Sequence, residues 1–152
     1  MDILSEAGKF AKEQYQLNDP LHQWTHIQNV MNRALLLSKY YPQADLELLK
    51  LAIIFHDIDY RSYEAHVEAS IEAATRFLEK RDYPKEKISK VKEIMLDHST
   101  PHRKTRGGAK TIEGKLLYDA DKSIFINKEN YEKYYPFLYL KETKKLVDQS
   151  LE

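Results

Sequence analysis

The chain has no cysteine, which excludes disulfides, thiolate metal sites and cysteine nucleophiles. Glycine and proline are scarce, at four and five of 152 residues. That leaves little material for the many tight turns of a β protein and favours long helices. No apolar run approaches the roughly 20 residues that span a bilayer. The opening MDILSEAGKFAKEQ carries charges where a secretory signal needs an apolar stretch. Net charge is also lacking, because 24 basic and 24 acidic side chains cancel. Affinity for nucleic acid or a membrane surface would therefore need a local patch. Together these absences predict a cytoplasmic protein with no membrane association and no strong nucleic-acid binding.

What is present fits one globular domain over residues 1–152: 42% of residues are hydrophobic and 32% charged. Apolar spacing predicts helices over Ile3–Gln16, His22–Tyr40, Asp45–Asp57, Tyr63–Lys80, Lys85–His98 and Ile112–Phe125. A last helix is predicted from Glu129 to Leu146 or beyond, kinked or split at Pro136. The third of these, LLKLAIIFHD, is apolar nearly all round and should lie deepest, with Asp45 as its N-cap. STPHRKTRGGAKT reads as a loop, with Pro101, Gly107-Gly108 and dense positive charge. The expected fold is an all-α bundle of about six to seven helices.

His56-Asp57 ends the most apolar helix, where both side chains face a desolvation cost unless they are paired or metal-bound. The competing reading is a helix end frayed into solvent. His26, in WTHIQNV, is either a ligand or a core histidine bonded to a backbone carbonyl. Asp121, in KLLYDADKSIFI, is either a ligand or a solvated position on an amphipathic helix. Taken together, two imidazoles and two carboxylates make a mixed nitrogen and oxygen site. Such a set suits Mn, Fe, Co, Ni or Zn, with Mg also admitted, and leaves coordination positions open for water and substrate.

The ordered set His26, His56-Asp57 and Asp121 resembles the signature of the HD superfamily of metal-dependent phosphohydrolases. HIQNV is similar to the family's H-x-x-x-V, AIIFHDI to its apolar run into HD, and LLYDADK to its D-A-D-x motif. The resemblance spans about residues 20 to 126. It implies a helical bundle with the site among the helices, and metal-ligand roles for His26, His56, Asp57 and Asp121. His66-Val-Glu-Ala-Ser70 and His98 are similar to a pattern of small single-domain members. Two departures stand out: Asn29, where many relatives have arginine, and Ile58-Asp59-Tyr60-Arg61, where some nucleotidases carry a glutamate.

The implied reaction is hydrolysis of a nucleotide-like phosphate monoester or pyrophosphate by a metal-activated water. Asp57 or Asp59 is the candidate base. His66 and His98 are candidates for leaving-group protonation, phosphate binding, or a second metal site bridged by Asp57, as in the family's diesterase branch. Arg61, Arg103, Lys104 and Arg106 are candidate substrate-binding residues, the last three closing over the phosphates from the basic loop. Trp24, Tyr60 and Tyr63 are candidates to stack on a base, with core packing the competing role. The tail YEKYYPFLYL offers packing surface or a homodimer contact. Two other classes compete: a catalytically inactive nucleotide- or nucleic-acid-binding module, and a helical interaction protein with all these groups in solvent.

Overall fold

The computed structural model of the protein describes residues 2–60 and 65–152, apart from the side chain of residue 21. Among these residues the regular structure is entirely helical. The chain runs through α1 (Ile3–Tyr15), a 3-10 turn (Pro20–His22), α2 (Trp24–Ser38), α3 (Leu46–Phe55), α4 (His66–Glu79) and α5 (Lys85–Asp97). It continues through α6 (Thr100–Arg106), α7 (Ile112–Ser123), α8 (Tyr131–Tyr134), a 3-10 turn (Tyr135–Phe137) and α9 (Lys141–Ser150). Several starts are written in side chains: Asp2, Asp45, Ser99 and Thr111 each accept a hydrogen bond from a backbone N–H of the first turn.

Helix α3 is the axis of the molecule. Its residues Leu48, Leu49 and Leu51–Phe55 are all buried, and it touches α1, α2, α4, α5 and α7. A helix that is apolar all round has nowhere stable to lie except among other helices. Helices α2 and α5 also pack on α7, closing the bundle around the C-terminal end of α3. At the α5–α7 contact the helices approach so closely that a methyl group on Gly114 would overlap the Asp97 side chain.

One expectation is corrected. The segment read as a basic loop holds a two-turn helix, α6. Ser99 caps it, Pro101 sits in its first turn, where a missing N–H costs nothing, and Gly107 ends it at φ +79°. The predicted split at Pro136 is present: the last segment is three pieces, with Pro136 in the 3-10 turn that separates α8 from the chain leading to α9. The cause lies in α7: the buried Asp119 carboxylate accepts the N–H groups of Tyr139 and Leu140 (both 2.9 Å) and the Thr143 hydroxyl (2.6 Å). It thereby fixes where α9 begins. The fourth predicted helix begins within the described residues at His66; its first residues, including Tyr63, lie outside them.

Candidate metal centre

Helix ends, not loops, bring the site together. His26 comes from the first turn of α2, His56 caps the C-terminus of α3, and Asp57 follows it. Asp121 projects from α7, His66 opens α4, and His98 caps α5. One ligand atom from each of His26, His56, Asp57 and Asp121 falls within 4.8 Å of all the others. Asp57, His66 and His98 form a second such group, with Asp57 common to both.

Asp57 is held from behind. The buried Tyr15 hydroxyl donates to the Ile54 carbonyl (2.7 Å) and accepts the Asp57 N–H (3.2 Å). Asn18 donates to the Asp57 carbonyl (2.8 Å). The end of α1 thus pins the turn that leaves α3, and the Asp57 carboxylate stays directed at His26 and His56.

His56 is fully buried, and its Nδ1 lies 2.6 Å from the Ile53 carbonyl. That contact assigns the proton of the neutral ring to Nδ1, so Nε2 is the atom turned toward the acids that can offer a lone pair to a cation. Nε2 has no hydrogen-bond partner. It lies 3.4 Å from Asp57 Oδ2 and 3.7 Å from Asp121 Oδ1. A buried polar atom without a partner costs about 1–3 kcal/mol, and a cation between these groups removes that cost. His98 repeats the pattern, with Nδ1 placed 2.8 Å from the Met95 carbonyl. The donor set and the orphaned nitrogen therefore fit a divalent ion of the N/O-binding kind.

In the absence of such an ion, protons and Lys122 balance the acids. Burial opposes protonation of His56, but Asp57 and Asp121 outweigh it and push its pKa up to about 9. Burial likewise opposes ionisation of Asp121. Even so, Lys122, with its Nζ 3.2 Å away, the bond from His26 (2.9 Å) and the nearby charge of His56 hold the carboxyl well below its usual range. Burial, with His56 nearby, pulls His98 down to about 4, so that imidazole is neutral at pH 7.

The groups line a cavity of about 80 Å³, whose walls include His26, Asp57, His66, His98, Asp121 and Lys122. Lys122 was missed in the sequence, where a lysine beside an acid on an amphipathic helix reads as solvated. It stays charged because Asp121 and Asp57 more than offset its burial. Phe125, Tyr60 and His22 also border the cavity. Tyr60 lies between two imidazoles, stacked on His22 (centroids 3.5 Å apart) and tilted against His66 (4.2 Å). Trp24 packs beside Tyr15 instead, with centroids 5.9 Å apart.

Other expected site residues lie elsewhere. Asp59 lines a separate depression with Phe10, Gln14 and Ala73, and its N–H is bound by Ser70 Oγ (3.1 Å). None of Arg103, Lys104 and Arg106 lines the metal cavity. Arg106 pairs with the buried Asp97 (2.6 Å), which also accepts the Thr111 N–H and hydroxyl. Arg103 lies over the rings of Tyr139, Tyr118 and Phe137 and donates to the Phe137 carbonyl (3.2 Å). His102 lies 2.6 Å from Glu68 on α4. The basic segment is thus consumed in holding α6 against the bundle, with Lys104 left exposed. Arg61 lies outside the described residues.

Comparison with known proteins agrees with the geometry. Residues 24–124 match the HD domain family. Among solved structures, the chain is similar to a predicted HD superfamily hydrolase from an uncultured Thermotogales bacterium. The TM-score is 0.70 at 22% identity, covering 96% of this chain and 83% of that one. A search of curated proteins finds no match. Among the described residues no helix is long and apolar enough to cross a membrane.

Proposed function

The chain belongs to the HD domain family, and from that premise we propose that it is a metal-dependent phosphohydrolase acting on a nucleotide-like phosphate monoester or pyrophosphate. The observation that carries this reading is the buried, unpartnered Nε2 of His56, placed between Asp57 and Asp121.

His26, His56, Asp57 and Asp121 would hold one divalent ion. When bound, such an ion lowers the pKa of water and offsets charge on a phosphoryl oxygen. Asp57 presents one oxygen to the ligand cluster and turns the other toward His66, 3.8 Å away. That second oxygen orients the attacking water and takes its proton. In this reading His66, beside that oxygen, passes a proton to the leaving oxygen. Lys122, charged and lining the cavity, attracts the phosphoryl group. His98, neutral at pH 7, is unsuited to donating a proton and suited to ligation.

The second group, Asp57, His66 and His98, favours a second reading, a two-metal diesterase. One ion per chain supports the monoester or pyrophosphate reading, and two support the diesterase.

The test is a phosphate-release screen across nucleoside mono-, di- and triphosphates with Mn, Co, Ni, Zn and Mg, with His56→Ala as control. Metal-dependent release, abolished in the control, is expected. A control that keeps the activity, or the absence of release with every metal, overturns the proposal. In the active protein, Lys122→Gln is expected to raise KM about tenfold, since a charge-assisted phosphate contact contributes about 1.5 kcal/mol.

A further inference from the structure

We infer that a nucleobase-like heteroaromatic ring binds outside the metal cavity, in the groove floored by Phe125, an inference that rests on the phosphohydrolase reading above. The metal cavity, at about 80 Å³, is far smaller than the several hundred Å³ typical of a pocket that encloses a ligand. It admits a phosphoryl group and no nucleoside. A second, open depression of about 620 Å³ adjoins it, and the two share His26 and Phe125 as a common wall. A substrate with its phosphoryl group among the metal ligands therefore leads its leaving group past Phe125 into that groove.

The lining of the groove specifies the chemistry of the occupant. Phe125 is 51% exposed, although it stands directly beside a buried charged site. Its ring tilts against the His26 imidazole (centroids 5.4 Å apart), so one face is supported and the other is open. Its backbone is fixed, because its N–H donates to the Lys122 carbonyl and its carbonyl accepts from Asn130 Nδ2 (3.0 Å). The ring is a preorganised apolar platform. Around it stand Pro20 and Ile124, and the polar side chains of Gln23, Thr25 and Asn29. Thr25 and Asn29 lie four residues apart on α2, hence on one face. Both are exposed, and neither bonds another described side chain. A flat apolar floor with an amide and a hydroxyl at its margin matches a ring with a π-face and a polar edge. An alkyl chain would leave the polar edge unused, and a bare sugar would leave the platform unused.

The test compares ligands with and without the base. Non-hydrolysable phosphonate analogues of the four common nucleoside monophosphates, the corresponding ribose 5-phosphate analogue and inorganic phosphate are titrated calorimetrically into Mn-loaded protein. At least one nucleoside analogue is expected to bind about tenfold or more tighter than the ribose analogue, the range of one base stacked on an aromatic ring. Phe125→Ala and Phe125→Leu should bring that ratio close to one, the leucine variant showing that the flat ring matters beyond apolar area. Asn29→Ala should change the ranking among bases. If phosphate binds but every nucleoside analogue only equals the ribose analogue, or if Phe125→Ala keeps the full ratio, the groove assignment is overturned and the phosphoryl site stands. If not even phosphate binds, both fall together.

Discussion

The ends of α3 and of α5 both lead into charged sequence, and the structure uses the two in opposite ways. After α3, His56 and Asp57 enter a buried site where one nitrogen has no hydrogen-bond partner and two acids crowd it. After α5, Arg103 and Arg106 leave few polar atoms unanswered, because Asp97, the Phe137 carbonyl and three aromatic rings engage them. The difference teaches that charge density does not mark a site. An unmet polar requirement in a buried place does, since a fold tolerates that cost only where a ligand removes it.

The sharpest way to break this comparison is to delete one member from each side. His56→Ala should abolish metal retention and lower turnover by more than about 100-fold, the upper range for losing even an indirect supporter of a metal site. Elemental analysis and phosphate release check it, and retained metal would refute the ligand assignment. Asp97→Ala should act on stability instead. It leaves Arg106 and the Thr111 N–H without their buried partner, a loss of about 3–5 kcal/mol. Thermal melting should show Tm lower by about 10 °C. KM should be unchanged in protein that remains folded, whereas a raised KM with normal Tm would return the basic segment to the site.

A smaller effect comes from pH. The folded pKa of His56 stands near 9 against 6.5 for an ordinary histidine, so its contribution to the stability of metal-free protein is complete below pH 6.5 and lost as pH rises through 9. The folded pKa of His98 is near 4, so its contribution is lost as pH falls from 6.5 toward 4. Taken together, the two make chelated protein most resistant to urea near pH 6.5. Metal-loaded protein should show the opposite trend on the alkaline side, since metal displaces the His56 proton and binds more tightly as pH rises. Equal urea midpoints at pH 6.5 and 9.5 in chelated protein would contradict this account.

The helical fold and the clustering of His26, His56, Asp57 and Asp121 were legible in the sequence, the first from periodicity and the second from the ordered motifs. Apolar periodicity marks the helices, and the order His26, His56-Asp57, Asp121 marks the family. Residues whose roles depend on distant partners were not legible. Asp119 and Asp121 are two positions apart on α7, about 200° around a helix, so one organises α9 while the other faces His26 and His56. Nothing local distinguishes them beyond the family motif. Arg106 looked like a phosphate ligand because nothing in the sequence pairs it with Asp97, nine residues earlier, which only the fold brings against it. Lys122 and Phe125 looked unremarkable because their meaning comes from α2 and α3 across the cavity. Pro101 read as a loop marker, although proline in a first turn starts a helix as readily as it ends one.

The most direct measurement is metal addition to chelator-treated protein, followed by thermal melting and calorimetry, beside His56→Ala. The account predicts at least one Mn bound per chain and, at 100-fold excess over Kd, about 2.7 kcal/mol of added stability, seen as a Tm higher by several degrees in the wild type and absent in the variant. An unchanged melting curve and no heat of binding in the wild type would contradict it.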